Sequence, residues 1–237
     1  MTQSINRILP QRARRAGVFS GLLAFALGTL APAPAPAASD NAAPKWQVWT
    51  YNASGRAFKG SVPAKPAANA IATFPFPVTP DAALLITDHG FYKGTLLGDL
   101  TGKTVNAKVS DSGGPFTYYG QGTSGNPCPG TATVRLYFQT KSPASFAETD
   151  YWWSNPISLP LDGLTTPTAM SVPLSPANWS DYNGHFGSDP LYIAAFNAAV
   201  KDVTSIGLSF GGGCFFENGV GGPAGSSFTL NAFSVTP

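Results

Sequence analysis

Period-two hydrophobic alternation, a high content of turn formers and abundant aromatics predict an all-β protein, an antiparallel β-sandwich carrying one short α-helix. Five segments alternate apolar residues with polar, small or proline residues: Val105, Ala107 and Val109; Val134, Leu136 and Phe138; Ile157, Leu159 and Leu161; Met170, Val172 and Leu174; and Ile206, Leu208 and Phe210. A strand of this kind buries one face and wets the other, the habit of antiparallel sheets packed in layers. The 237 residues include 26 Gly and 22 Pro, and 12% are aromatic while 11% are charged. Disordered chains show few aromatics and high net charge, so this composition belongs to a packed, turn-rich domain.

The elements follow in chain order. Arg7, Arg12, Arg14 and Arg15 precede an apolar run from Val18 to Leu30 and then the stretch APAPAPA. A basic region, a short apolar core and an Ala-x-Ala exit predict a secretory signal peptide over residues 1–37. The apolar run falls short of the roughly 20 residues a membrane span needs, so no transmembrane segment is expected in the mature chain. The expected location is secreted, periplasmic or cell-surface, with the Sec and twin-arginine routes both open. Removing four arginines and no acid turns 14 basic against 12 acidic residues into 10 against 12, a mature charge near −2. The basicity belongs to the leader, and nucleic acid is not an expected partner.

Residues 38–80 read as an N-terminal strand followed by a Pro/Ala-rich loop, packed on or tethered to the domain formed by residues 81–237. In KWQVWTY, Trp46 and Val48 fall on one side of the strand and Trp49 and Tyr51 on the other. Pro160 and Pro173 remove ladder donors and place their strands near a sheet margin. The terminal strand changes phase between Phe228, Leu230 and Phe233, Val235, which predicts a bulge at Asn231-Ala232. The segment SDPLYIAAFNAAVKDV breaks the β pattern. Ser188 or Asp189 can cap a helix there, Pro190 suits its first position, and Tyr192, Phe196, Ala199 and Val203 form a stripe at helical spacing.

Cys128 and Cys214 are both in the exported part, where disulfides persist, and a bridge between them is expected. In the chain-entropy model a loop of that length is worth about 4 to 5 kcal/mol. GQGTSG satisfies G-x-G-x-x-G formally, but Pro127-Cys128-Pro129 follows where a helix should begin, so it reads as a loop. No Gly-x-Ser-x-Gly elbow is present, and the two histidines, His89 and His185, are the only imidazole bases for a hydrolase triad.

Binding has a better candidate set. Sugar rings stack an apolar face on aromatic rings while their hydroxyls need amide or carboxylate partners. The loop NWSDYNGH supplies Trp179, Asp181, Tyr182, Asn183 and His185. Trp152 and Trp153, adjacent in YWWSN, must face opposite ways if extended, which makes Trp153 a further candidate; Tyr137 shares the outward phase of its strand with Arg135 and Gln139.

The ordered set FYKGTLLGDLTGKTVNAKV, VRLYFQT, YWWSNPISLPL, VPLSPANW, AFNAAVKDVTSIGL and NAFSV, from about Asp81 to Val235, resembles secreted bacterial modules of the galactose-binding-like, laminin-B-like group. Gly98-Asp99, Trp179 and Val203-Thr204 stand at the shared positions; Asn231-Ala232-Phe233 replaces the usual Asp-Asn-Val, and GGGCFFENGVGG has no counterpart. The resemblance implies a jelly-roll sandwich. It requires no cofactor and implies at most a structural calcium ion, for which Asp88, Asp99 and Glu217 are the carboxylates to examine. The expected function is a non-catalytic module that binds glycan or another cell-surface or matrix component. The alternatives are a secreted polysaccharide-active enzyme using His89, His185, Asp181 and Glu217, and a structural envelope or matrix protein. Glu217-Asn218-Gly219 reads first as a turn and second as a ligand contact.

Overall fold

The computed structural model describes residues 45–51, 58–89, 95–122, 130–140, 147–213 and 216–237. The expected signal peptide and both halves of the expected Cys128–Cys214 bridge lie outside the described residues. Within them the strands are β1 (Gln47–Tyr51), β2 (Phe58–Pro63), β3 (Lys65–Ala67), β4 (Ala70–Pro75), β5 (Ala82–Thr87), β6 (Thr104–Ser112), β7 (Thr117–Tyr118), β8 (Ala132–Gln139), β9 (Tyr151–Ser154), β10 (Leu159–Pro160), β11 (Thr168–Pro173), β12 (Trp179–Ser180), β13 (Ser205–Gly212), β14 (Val220–Gly221) and β15 (Ser227–Thr236). One α-helix, α1 (Ile193–Val200), precedes β13. No helix of the described residues is long and apolar enough to cross a membrane.

The strands form two antiparallel sheets. The larger runs β12-β9-β8-β13-β5-β1-β2, with β10 on β8 and β14 joining β5 to β7; the smaller runs β11-β6-β15-β4-β3. The inward halves of the alternating strands meet between them, giving an all-β sandwich with one short helix. Phe210 of β13 lies with its ring centroid 5.7 Å from Phe74 of β4 and 4.9 Å from Phe228 of β15. Phe76 closes the group at 5.7 Å from Phe210, and Trp46 meets Phe233 edge-on at 5.0 Å. Such edge-to-face pairs add to the burial of large rings.

The prolines sit where the ladder can spare a donor. Pro173 ends β11, the margin of the smaller sheet, and Pro160 ends β10, a two-residue strand off the main path. The terminal strand shifts register between Leu230 and Ala232, the expected bulge. Two elements differ from expectation. The Pro/Ala-rich stretch that reads as a loop contains β2, β3 and β4: Pro63 and Pro75 fall at strand ends and Pro66 lies on the edge strand β3, so no interior ladder bond is lost, while Ala72 and Phe74 are buried. The helix is also shorter than its apolar stripe. The Asp189 carboxylate accepts the Leu191 N–H (2.9 Å) in the turn before it, and Val203 leaves the helix to bridge Gly98. The buried face of α1 sets Phe196 edge-on against Trp152 at 5.0 Å, closing one end of the core.

Strand β13 is buried along its whole length, because β5 and β8 flank it, its inward side chains enter the core and its outward residues are small. At Gly207 the backbones approach so closely that a Cβ would overlap the Leu85 carbonyl oxygen and stand 2.8 Å from Ile86 Cα. Gly207→Ala is therefore expected to lower the unfolding free energy by about 1–3 kcal/mol. Gly130→Ala, whose added carbon meets nothing within 4 Å among the described residues, should change it by less than about 0.5 kcal/mol. Urea midpoints of the two variants check the difference.

Candidate functional site

The outward residues of the larger sheet line up in rows across five strands. Register pairs Gln47 of β1 with Ile86 of β5, Ile86 with Gly207, Gly207 with Tyr137 of β8, and Tyr137 with Trp153 of β9. A second row runs Trp49, Leu84, Ser209, Arg135. A third pairs Ser205 with Gln139 and Gln139 with Tyr151. An outer face of this composition is half apolar, and the molecule treats its two ends differently.

One end is covered. Ala83, Leu84, Ile86, Tyr137, Tyr151 and Trp153 form a second apolar cluster, against which Trp49, Tyr51 and Phe216 pack. The segment after β13 folds back to make the cover. Ser209 Oγ accepts the Trp153 indole N–H (3.0 Å) and donates to the Phe216 carbonyl (2.5 Å). Asn218 Oδ1 accepts the Gly212 N–H (2.9 Å) while its amide donates to the Tyr119 carbonyl (2.7 Å). Gly219 takes φ +88°, a left-handed conformation suited to glycine, and this completes the turn. The turn expected at Glu217-Asn218-Gly219 is thus present, held by Ser209 and Asn218.

Two ionisable groups lie under this cover. The Arg135 guanidinium stands 4.7 Å above the centre of the Phe216 ring and gives one N–H to the Ser154 carbonyl (3.1 Å); burial pushes it down to about 10. Glu217 accepts a hydrogen bond from the Tyr51 hydroxyl. Burial nevertheless drives its carboxyl up to about 8, the hydrogen bond pulling the other way. Burial first and the Glu217 charge second hold the phenols of Tyr51 and Tyr137 above their ordinary value.

The other end is open. Gln47, Trp49, Ile86, Asp88, Gln139, Thr204 and Ser205 line a cleft of about 330 Å³. The Tyr137 hydroxyl donates to Gln139 Oε1 (2.6 Å) and orients that side chain, and Thr204 Oγ1 donates to the Gln139 carbonyl (3.2 Å). Ser205 Oγ is anchored on the Thr87 carbonyl (3.3 Å). Asp88, on the rim, is paired with His89 Nδ1 at 2.6 Å. An indole and an aliphatic side chain therefore stand beside amide, hydroxyl and carboxylate groups in one concavity.

The seven binding residues expected from the sequence divide four ways. Trp179 is buried in the core, 5.0 Å from Phe138, with its indole N–H on the Pro173 carbonyl (2.9 Å), so it offers no ring to a ligand. Tyr137 and Trp153 do face outward, but at 1% and 2% exposure they are the floor under the Phe216 cover. Tyr182 is 56% exposed, with its ring 6.2 Å from Trp153.

Asp181, Asn183 and His185 build their own loop. The Asp181 carboxylate, fully buried, accepts the backbone N–H groups of Asn183 (3.0 Å) and His185 (2.9 Å) and meets His185 Nδ1 at 3.1 Å, while the imidazole stacks on Tyr192. This carboxylate serves the loop. Asn183 is exposed at its tip.

The three carboxylates to examine for a calcium ion go to separate partners: Asp88 to His89, Asp99 to the Thr101 N–H (2.9 Å), and Glu217 to Tyr51. Among the described residues no group of three or more His, Cys, Asp or Glu is placed to hold a metal ion. The cleft residues Gln47, Ile86, Thr204 and Ser205 carry no local signal of a site. No family model, curated protein or solved structure matches this chain.

A carboxyl whose folded-state value is raised to about 8 keeps its proton through a range in which the unfolded chain, near 4.5, has lost it. The resulting stabilisation is complete below the unfolded value and disappears as pH rises through the folded one. Between about pH 6 and pH 8 the urea midpoint of the native protein should fall relative to that of Glu217→Gln, which stays neutral, and Glu217→Gln should be the more stable of the two at pH 8. Equal slopes for the two proteins would place Glu217 in water.

Proposed function

We propose that this protein is an exported, non-catalytic β-sandwich module of galactose-binding-like, jelly-roll type that binds glycan of a cell surface or extracellular matrix. The binding site is the open cleft on the outer face of the larger sheet. The observation that carries the reading is the composition of that concavity, where Trp49 and Ile86 stand beside Gln47, Asp88, Gln139, Thr204 and Ser205. A sugar ring is amphipathic in the same sense: its C–H face packs on an indole while its hydroxyls exchange water for amide and carboxylate partners. At about 330 Å³ the cleft is near the small end of ligand sites, which span roughly 300–1,000 Å³, and it suits a terminal sugar better than a long buried chain.

Rigidity supports the same reading. Gln139 is oriented by Tyr137, and Thr204 and Ser205 are tied to neighbouring carbonyls, so little side-chain freedom is lost on binding. A leader of the signal-peptide pattern puts such a module where glycans are met.

The test is a titration of the mature protein with a glycan panel, followed by tryptophan fluorescence and calorimetry. At least one glycan should bind saturably, and Trp49→Ala should weaken it about 10- to 100-fold, a loss of roughly 1.4–2.7 kcal/mol. Gln139→Ala should cost about tenfold, since a buried polar partner is left unmade. A panel without any response defeats the proposal, and release of shortened sugar products would replace it with the enzyme reading.

A further inference from the structure

We infer that the open cleft is selective for sugars that carry a primary ammonium group, with the Asp88 carboxylate as the group that distinguishes them from neutral and acidic sugars. This selectivity presupposes the glycan reading above and names its ligand class.

The charge that lines the concavity has one sign. Among its lining residues Asp88 alone is ionised near neutral pH, and its side chain stands at the rim, 66% exposed. The imidazole of His89 engages one of its oxygens, Oδ1, at 2.6 Å, so among the described residues Oδ2 is left for a ligand. The nearby cations are placed elsewhere. Lys45, in phase with Gln47 and Trp49 just before β1, is exposed and outside the lining. Arg135 is held at the covered end, its guanidinium 4.7 Å above the Phe216 ring. A carboxylate at the mouth of the cleft attracts an ammonium and repels the carboxylate of an acidic sugar.

The hydroxyls of the wall favour the same ligand. Thr204 Oγ1 gives its proton to the Gln139 carbonyl (3.2 Å), and Ser205 Oγ gives its own to the Thr87 carbonyl (3.3 Å). A hydroxyl has one proton and two lone pairs, so each of these retains only acceptor capacity for a ligand. The Gln47 and Gln139 amides can still donate to ring oxygens, and the Tyr137 hydroxyl, 2.6 Å from Gln139 Oε1, fixes the second of them. Spent hydroxyls beside a carboxylate suit a ligand rich in N–H and O–H groups. An ammonium brings three donors, an acetamido group one, and a carboxylate none. Trp49 adds to the preference, because the face of an aromatic ring attracts a cation.

The test titrates the whole mature protein with methyl glycosides of glucosamine, N-acetylglucosamine, glucose and glucuronic acid, by calorimetry at about pH 6.5, where an amine of this kind keeps its proton. The glucosamine glycoside should bind about 10- to 100-fold more tightly than the N-acetyl and neutral sugars, the range of one charge-assisted hydrogen bond. The glucuronide should bind most weakly, and the preference should shrink as salt rises. Asp88→Asn, at an exposed position where folding is not at stake, should bring the glucosamine to N-acetylglucosamine affinity ratio close to one, whereas Lys45→Gln should not lower it. Equal binding of amino and neutral sugars, tighter binding of the glucuronide, or a preference that survives in Asp88→Asn overturns the selectivity and leaves the glycan reading standing. If none of the four binds while another glycan does, the selectivity falls alone; if no glycan binds, both fall.

Discussion

Strand β13 is buried from end to end, and most of the molecule's arrangement follows from how its two sides are filled. Inward, Ile206, Leu208 and Phe210 enter the main core. Outward stand Ser205, Gly207 and Ser209, and only residues this small allow what happens above them. At Gly207 the neighbouring strand comes too close for a side chain, and at Ser209 a single hydroxyl serves both the Trp153 indole and the Phe216 carbonyl. The chain after β13 can therefore fold back and lay Phe216 over the sheet. A face that an antiparallel sandwich normally leaves wet becomes a second apolar layer at one end. The cover stops short of Ser205, and there the sheet is left open as a cleft.

Covering that end puts charge where charge is costly. Arg135 keeps a guanidinium under Phe216 with one hydrogen bond to Ser154 and no partner at Nε. The aromatic face offsets part of this, typically by about 0.5–2 kcal/mol. Glu217 resolves the same problem by retaining a proton and Tyr51 by remaining a phenol; burial and then Glu217 hold Tyr51 neutral, whereas burial alone holds Glu217 neutral against the pull of the Tyr51 hydrogen bond. Tyr137 lies between these groups and the cleft: it feels the Glu217 charge on one side and orients Gln139 on the other.

Much of the fold is visible in single strands taken alone. Alternation distinguishes inward from outward residues in β6, β8, β11 and β13, and the prolines and the phase change near Ala232 mark margins and bulge, because each of these signals is local. Signals fail where composition and pairing disagree. The stretch holding β2 to β4 looks like a loop because Pro, Ala and Gly dominate it, yet its prolines sit at strand ends and on an edge. Trp179 looks exposed because polar residues follow it. Pairing of the two-residue strand β12 with β9 turns it inward beside Phe138. The cleft fails for a third reason. Gln47, Ile86, Gln139 and Ser205 become neighbours only through strand order, and nothing near any of them in the chain records which strand lies alongside.

The position of the cleft is nonetheless determined by the core. Helix α1 packs Phe196 against Trp152 and Phe138, the inward neighbours of Trp153 and Tyr137. The chain leaving the helix is then caught twice at Thr204, whose N–H and hydroxyl both donate to the Gln139 carbonyl, at 2.9 and 3.2 Å. Thr204 and Gln139 are therefore held as one unit, with the helix below it and Tyr137 beside it. A ligand in the cleft would rest on a wall whose support runs through the sheet to the helix on its other side. Loosening Phe196 should widen that wall without touching any residue that lines it, which separates a cleft built by the fold from a depression left between side chains.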